Sequence, residues 1–306
     1  MNFLKLIRYP NLLLLALMQL IFRYGFLELQ NIPLALSDFH YLLMVFSTIC
    51  IAAGGYIINN ILDVESDEEN KPQDVIVGKT ISETKAYNLY IAFTIMGVLS
   101  GFYLSNVIGK PSFSALFIII AATLYQYAAQ WKQSLLIGNF IVALLASVSI
   151  LIIGIFDLYP ITTINNRALL ALIFQILIDF AVFAFMINFL REIIKDLEDS
   201  EGDASQGMQT LPIVLGINRT SKLVFGLSFI PILTLLFYIY NNLFQLQFAT
   251  LYLLILVVAP LLFFTVKIWN TRTKKDFHSL SLLLKWILFF GIISIIVISL
   301  NMKYNA

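Results

Sequence analysis

Nine apolar runs divide this 306-residue chain, and each is about 20 residues long. A helix of that length crosses the roughly 30 Å hydrocarbon core of a bilayer. A lone strand would leave its backbone unpaired in lipid, so the runs are predicted to be helical. They predict an all-α polytopic membrane protein, a bundle of nine transmembrane helices in a single domain over 1–306. The predicted spans 1 to 9 lie at approximately 11–30, 41–62, 84–106, 113–130, 134–156, 168–190, 221–241, 246–269 and 280–301.

The composition supports this class of protein. Hydrophobic residues make up 60% of the chain and charged residues 12%, with a mean hydropathy of +0.89. Soluble domains carry about 25% charged residues, so a soluble globular enzyme and a disordered chain are excluded. The net charge of +1 offers no basic patch, which excludes a nucleic-acid partner. Cys50 is the single cysteine, so a disulfide framework is excluded as well.

The basic residues predict an orientation in the membrane. With nine spans, fifteen Lys and Arg residues fall on the side of the N-terminus. Only Lys110, Arg167 and Lys303 fall on the other side, while Arg23 lies within span 1. Positive residues collect in cytoplasmic loops, so we expect a cytoplasmic N-terminus and an outside C-terminus.

Twelve of the 18 acidic residues lie in two short stretches, 63–74 after span 2 and 192–203 after span 6. Both stretches fall on the predicted cytoplasmic side. In each, three side chains recur at i, i+3 and i+7, which places them within about 60° of arc on one helix face. Glu65 and Glu201 point away from these faces. The matching ridges are Asn60, Asp63 and Asp67 in motif one (59–67) and Asp196, Asp199 and Asp203 in motif two (196–203).

The two matched ridges indicate a pseudo-repeat and a cation site. Carboxylates stacked on one face repel each other unless a positive charge lies between them. Mg²⁺ takes one or two carboxylates together with substrate phosphates, so facing ridges would hold Mg²⁺ ions bridged by a diphosphate. The alternative is that both stretches are solvated loops with ordinary i,i+4 charges.

The sequence around both ridges resembles a known family. The segments GYIINNILDVESD (55–67) and REIIKDLEDSEGD (191–203) are similar to the two aspartate-rich motifs of the UbiA superfamily of intramembrane prenyltransferases, which have nine helices. Further matches are 8–11, 70–72, 78–79, Tyr125, Lys132, 138–139 and 210–212. Two positions depart from the family pattern: Asn59-Asn60 stands where an Asn-Asp pair is usual, and Gln73-Asp74-Val75 replaces an Arg-Pro stretch.

The resemblance implies a role for each motif residue. Mg²⁺ would be bound by both ridges, and the ions would bridge the diphosphate of an isoprenyl donor. Tyr125 would stabilise the allylic cation through its ring, although packing also explains a tyrosine there. The implied catalytic metal ligands are Asp63, Asp67, Asp196, Asp199 and Asp203, with Asn59 and Asn60 assisting. The implied phosphate contacts are Lys79, Lys132, Arg191 and Lys195, each of which a positive-inside anchor explains equally well.

Polar residues inside the spans are functional candidates. Arg23 in span 1 and Asp179 in span 6 are expected to pair, which would remove two isolated charges from lipid. The alternative places Arg23 at an anionic group of the acceptor. Asn11 opens span 1 and either faces the substrate or caps the helix.

The resemblance therefore implies a Mg²⁺-dependent enzyme of the membrane. It would transfer an isoprenyl group, expected to be geranylgeranyl, from its diphosphate to a lipophilic or aromatic acceptor. The EDSEGD form of motif two resembles the geranylgeranylglycerol-phosphate, chlorophyll and homogentisate branches, which favours a geranylgeranylglycerol-phosphate acceptor in a bacterial membrane. Menaquinone-type transfer to a quinone precursor is the alternative acceptor. A secondary transporter and a non-catalytic homologue, the latter suggested by Asn60, are alternatives of another class.

Overall fold

The structure is a computed structural model that describes residues 2–70, 72–73 and 75–304. Lys71 and Asp74, which the sequence analysis counted among the charged residues of this region, lie outside the described residues. Within those residues, nine helices are long and apolar enough to cross a membrane. Spans 1 to 9 are Tyr9–Gln30, Asp38–Leu62, Glu83–Val107, Pro111–Ala129, Ile137–Ile161, Arg167–Ser205, Ile217–Leu243, Gln247–Asn270 and Lys274–Tyr304.

The all-α expectation is confirmed, with 85% of the chain helical and no strand in the part of the chain that is described. Three short α-helices of the described residues lie outside the spans: Asn2–Leu6, Val64–Asn70 and Leu211–Leu215. Spans 1, 7 and 8 each contain one π-helical turn, which locally changes the direction of the side chains. The chain is thus a multi-pass membrane protein whose spans match the nine predicted runs.

Span 6 extends well beyond the membrane. Its 39 residues correspond to about 58 Å of helix, almost twice the thickness of the hydrocarbon core. Motif two lies in this extension, so its three aspartates do share one continuous helix, as predicted. The extension runs antiparallel to the start of span 9, where His278 Nδ1 lies 3.1 Å from Glu198 Oε1. Both motifs therefore lie at one end of the bundle, which we call the motif end.

Arg23 lies near the opposite end of the bundle, and the prediction that it pairs with Asp179 is wrong. Its guanidinium pairs with Asp157 at 2.6 Å, and it also donates to the carbonyl of Leu36 at 2.8 Å. Asp179 instead accepts a hydrogen bond from Gln175 at 2.9 Å. The physical reason is depth: Asp179 lies twelve residues, about 18 Å, inside span 6, whereas Asp157 ends the α-helical part of span 5 beside Arg23.

The ion pair of Arg23 and Asp157 predicts that the stability of the bundle depends on the charge of Asp157. Asp157 is fully buried and its partner Arg23 is 5% exposed, so Asp157→Asn removes the closest and only buried counter-charge of the guanidinium. Glu28 at 3.6 Å and Asp38 at 3.7 Å remain, but both are partly exposed to solvent. We expect the free energy of unfolding to fall by about 1–3 kcal/mol, measured by denaturation in detergent. Asp179→Asn is the matched control, since it removes a carboxylate that does not contact Arg23. Equal losses in the two variants would contradict the observed pairing.

Candidate active site

Motif one is built around a break in the helix. Span 2 ends at Leu62, and the backbone of Asp63 (φ −98°, ψ 3°) leaves helical values before the short helix Val64–Asn70 begins. The side chain of Asp63 is nearly buried, and its Oδ2 accepts a hydrogen bond from Asn59 Nδ2 at 2.6 Å. Asn59 and Asp63 therefore form the core of motif one.

Asn60, Asp63 and Asp67 do not share one continuous helix as predicted, because span 2 ends at Leu62 and a new helix begins at Val64. The amide of Asn60 donates to the carbonyls of Tyr56 at 2.7 Å and Leu6 at 3.3 Å. That places Asn60 against the N-terminal helix rather than beside Asp63. Asn59 takes the position that the spacing assigned to Asn60.

Motif two keeps the predicted arrangement. Asp196, Asp199 and Asp203 lie on one helix, and Asp196 Oδ2 accepts from Asn139 Nδ2 of span 5 at 2.7 Å. The exposed glutamates Glu65 and Glu201 point away from both motifs, as predicted.

The two motifs are also tied to each other. The hydroxyl of Ser205, two residues beyond Asp203, donates to the carboxylate of Glu69 in the short helix after motif one. The acidic segments after spans 2 and 6 are therefore neighbours at the motif end.

Lys132 lies between the two motifs. Its ammonium forms an ion pair with Asp63 and lies within electrostatic range of Asp203 and Asp199. Burial is the main reason that the pKa of Lys132 is lowered to about 8, while those two carboxylates raise it. Lys132 therefore supplies the positive charge that the packed carboxylates require, and its contact with a substrate phosphate stays a prediction.

Gly138 explains how the chain can place Lys132 there. Lys132 lies on a single 3₁₀ turn, Trp131–Gln133, between spans 4 and 5. A Cβ at position 138 would lie 2.8 Å from the backbone of Lys132, closer than real Cβ contacts. Only glycine lets the turn fold tightly against the start of span 5. The carbonyl of Gln133 then accepts from the backbone of Gln209 at 2.9 Å, which fixes the turn beside the segment after motif two.

The oxygen atoms of this region fit a hard divalent cation. Among the described residues, no three His, Cys, Asp or Glu side chains are grouped as a preformed metal site. Mg²⁺ rarely uses a complete protein cage and takes carboxylates together with phosphates and water. The Oδ1 atom of Asn59 is buried and has no hydrogen-bond partner in the described structure, so it is available as a ligand. Together with the aspartates of both motifs, it forms a donor set of the kind that Mg²⁺ binds.

A cavity of about 300 Å³ extends from the motif end into the bundle. Along span 1 it runs from Asn11 to Phe22, which corresponds to about 16 Å of helix. Its deeper walls are apolar and include Leu15, Met18, Phe22, Phe117, Phe180 and Leu288. Its mouth is polar and includes Arg8, Asn11, Asn59, Arg191, Glu192, Lys195 and Lys285. A molecule with a charged head and a long apolar tail matches this division.

Several predicted residues face the cavity and others do not. Asn11, Asn59, Arg191 and Lys195 line its mouth. Lys79 is half exposed and pairs with Glu68 at 3.4 Å, away from the cavity. Its position explains this, because Lys79 lies in an exposed turn over residues 78–80.

Tyr125 and Arg23 are also displaced from the predicted site. Tyr125 is 46% exposed and stacks on Tyr90 of span 3 at 6.4 Å, so it lies on the outer surface of span 4. Tyr127, two residues later, faces the cavity instead, since two residues turn a helix by about 200°. Arg23 lies fifteen residues, about 22 Å, from the mouth residue Arg8.

Sequence reasoning missed Tyr127, Asn188 and Lys285 as cavity residues. Lys285 carried a usable signal, because it falls within the predicted run 280–301 and a charge inside a span is rarely exposed to lipid. Tyr127 carried none, since the rotation of span 4 about its axis is set only by packing.

The comparisons with known proteins now identify the family. The model of the UbiA prenyltransferase family matches residues 28–296. Digeranylgeranylglyceryl phosphate synthase from Saccharolobus solfataricus is 32% identical over 251 residues, which cover 82% of this chain and 81% of that protein. The chain therefore belongs to the UbiA prenyltransferase family, and it is a membrane-embedded prenyltransferase.

Solved structures agree on the fold. A structure described as digeranylgeranylglyceryl phosphate synthase in membranes covers 97% of both chains, with a TM-score of 0.64 and 22% identity. A UbiA homolog from Archaeoglobus fulgidus bound to GPP and Mg²⁺ covers 96% of this chain and 99% of its own, with a TM-score of 0.63 and 17% identity. At these identities the likeness supports the nine-helix fold alone.

The placement of Asn59 beside Asp63 predicts a difference between two adjacent amides. Asn59→Ala removes the hydrogen bond that orients Asp63, and we expect activity to fall by about 10- to 100-fold, with a higher Mg²⁺ requirement. Asn60→Ala is the control, and its activity and Mg²⁺ requirement should stay near those of the unmodified chain. Diphosphate release at a series of Mg²⁺ concentrations measures both quantities. A change in Mg²⁺ requirement for Asn60→Ala alone would support the original ridge.

Proposed function

We propose that this chain transfers a geranylgeranyl group from its diphosphate to geranylgeranylglyceryl phosphate, with Mg²⁺ as cofactor. The observation that carries the proposal is that two aspartate motifs and an apolar cavity with a basic mouth lie at the same end of the bundle, where Asn59 of motif one lines the cavity and contacts Asp63. The relative from Saccharolobus solfataricus, a digeranylgeranylglyceryl phosphate synthase, supports the choice of acceptor. In the reaction, the acceptor hydroxyl oxygen bonds to C1 of the donor. The bond between C1 and the diphosphate breaks, and the released diphosphate carries the hydroxyl proton away.

The residues of the motif end divide this task. Asp63, Asp67 and Asn59 from motif one, and Asp196, Asp199 and Asp203 from motif two, would hold Mg²⁺. The metal, when bound, supplies Lewis acidity that stabilises the departing diphosphate. Asn139 holds the carboxylate of Asp196, and Lys132 lies where it can contact phosphate oxygens. Arg191 and Lys195 provide further positive charge at the cavity mouth.

The apolar cavity serves the other end of the donor. Aromatic and aliphatic side chains surround a tail and exclude water from the carbon that becomes electrophilic. Tyr56 and Tyr127 line the same cavity near its polar end, and their rings, rather than that of Tyr125, are placed to stabilise positive charge on that carbon.

The proposal includes a membrane orientation. The fifteen basic residues on the motif side support a cytoplasmic N-terminus, an outside C-terminus and a site that faces the cytoplasm. The expected bacterial source has no support among the relatives, which are archaeal.

Diphosphate release tests the chemistry. With geranylgeranyl diphosphate, geranylgeranylglyceryl phosphate and Mg²⁺, purified protein should release diphosphate and form the ether product, and EDTA should abolish both. Asp63→Asn and Asp199→Asn should each lower turnover by about 100-fold or more, since each removes a carboxylate from the metal site. Glu65→Gln is the matched control, because Glu65 is exposed and outside the site.

The acceptor panel separates this function from its alternatives. Turnover with a quinone precursor and none with the glycerol phosphate ester would show that the acceptor is aromatic and would contradict the proposed acceptor. An absence of Mg²⁺-dependent release with every donor and acceptor would reject the proposed reaction.

Cysteine labelling tests the orientation. In a Cys50→Ala background, Ile164→Cys places a thiol in the 97% exposed loop position between spans 5 and 6. A membrane-impermeant maleimide should label it in intact cells. Lys275→Cys, at the motif end of span 9, should react only after permeabilisation. The reverse pattern would invert the proposed topology.

A further inference from the structure

Lys285 reaches the cavity from span 9, a helix that carries neither motif. Its ammonium donates a hydrogen bond to Asn11 Oδ1 of span 1 at 2.7 Å. Both side chains line the cavity mouth. A lysine eleven residues after the start of a membrane span is costly unless it has a partner or a function, and a neutral amide does not offset its charge.

The depth of Lys285 can be read from the helix pair that it belongs to. Spans 6 and 9 run antiparallel, and Glu198 contacts His278. Arg191 lies seven residues before Glu198, and Lys285 lies seven residues after His278. Both basic residues are therefore at the same level, about 10 Å deeper than that contact. Asp196, the first aspartate of motif two, lies five residues or about 7 Å closer to the motif end than Arg191.

Arg8 adds a second cation at this mouth. Its backbone is left-handed (φ 49°, ψ 52°), which is uncommon outside glycine and often marks functional positions. Its guanidinium lies 5.5 Å from the centre of the Tyr56 ring, on the cavity wall. The unusual backbone thus holds a charged side chain over the entrance of an apolar cavity.

The charges at this level do not balance. Glu192 is the carboxylate at the mouth, and Lys195 at 2.5 Å and Arg191 at 3.6 Å both pair with it. Among the described residues, neither Arg8 nor Lys285 has a carboxylate within 4.0 Å. Arg8 also lies within electrostatic range of Glu192, so the mouth holds four cations and one carboxylate. This excess of positive charge beside an apolar cavity indicates that an anion binds there.

From this arrangement we infer that Arg8, Asn11 and Lys285 form a second anion site, which binds the phosphate monoester of the lipid acceptor. The inference rests on the proposed function for the identity of that acceptor. The donor diphosphate occupies the aspartate level with Mg²⁺, and the acceptor phosphate lies deeper and toward spans 1 and 9. In a glycerol phosphate ester the free hydroxyl and the phosphate are on adjacent carbons, so phosphate binding here brings the hydroxyl close to C1 of the donor.

A second group of basic residues is also required on electrostatic grounds. Two phosphate groups in one low-dielectric cavity repel each other strongly unless each has its own positive charges. Mg²⁺ and Lys132 serve the donor, and Arg8 and Lys285 serve the acceptor. Lys285 is accordingly a specificity residue for a phosphorylated acceptor over a neutral one.

Binding without turnover tests the site directly. The probes are dodecyl phosphate and dodecanol, titrated in nonionic detergent with EDTA so that the metal site is not engaged. Dodecyl phosphate should bind more tightly than dodecanol. Lys285→Met should weaken dodecyl phosphate binding by about tenfold or more and leave dodecanol binding unchanged. Lys275→Met is the control, with the same substitution at an exposed position of the same helix.

Steady-state kinetics distinguish whether the site binds the acceptor or the donor. Lys285→Met should raise KM for geranylgeranylglyceryl phosphate by about tenfold and leave KM for geranylgeranyl diphosphate unchanged. A raised KM for the donor alone would overturn the inference, as would equal binding of dodecyl phosphate and dodecanol. Competition by inorganic phosphate at the same concentration as dodecyl phosphate would also overturn it, because the site would then bind free phosphate.

The two proposals fail in different ways. Phosphate-dependent binding that requires Lys285, with no turnover on any acceptor, would support the site and reject the reaction. Turnover with normal kinetics in Lys285→Met would support the reaction and overturn the site. Arg8→Gln repeats both measurements if Lys285→Met does not give a monodisperse protein.

Discussion

The motif end depends on one ion pair, that of Lys132 with Asp63. Two acidic segments after spans 2 and 6 meet where four of their carboxylates, Asp63, Glu192, Glu198 and Asp203, are buried, and their repulsion requires a cation between them. The turn that carries Lys132 provides it, and Gly138 allows the turn to fold tightly enough. Mg²⁺ would bind the same carboxylate oxygen atoms, and the ammonium of Lys132 would then contact the diphosphate. The ammonium of Lys132 therefore holds the two motifs together, in an arrangement of carboxylates that would also bind a divalent cation.

Charge and polarity change in order along the axis of the bundle. The aspartates lie at the motif end, the basic residues around Arg191 and Lys285 lie one to two turns deeper, and apolar walls extend from there as far as Phe22. This order matches the parts of the two substrates, with phosphate groups at the mouth and isoprenoid tails inside. The remaining buried charges, Arg23 and Asp157, neutralise each other at the opposite end and serve the fold.

Much of the fold could be predicted from the sequence, and part of the site. The nine spans follow from hydrophobic length, and the aspartate ridge of motif two follows from helical periodicity, because both are local properties of the chain. Spacing alone could not choose between Asn59 and Asn60, because the amide of Asn60 is directed by a contact with the N-terminal helix, at the carbonyl of Leu6. Tyr125 was misassigned because the face that span 4 turns toward the cavity depends on its packing against spans 2 and 3, which sequence spacing does not encode.

By itself, then, the sequence determined the class of protein, the number of spans, the two acidic motifs and the family that they resemble. Only the tertiary structure decided which charges meet. Arg23 pairs with Asp157 rather than Asp179, and Lys285 faces the cavity rather than the membrane surface, because both outcomes depend on the relative depth of helices distant in sequence. Periodicity gives the angle of a side chain around its own helix. Its partner is set by the height and rotation at which another helix packs, and those are properties of the assembled bundle.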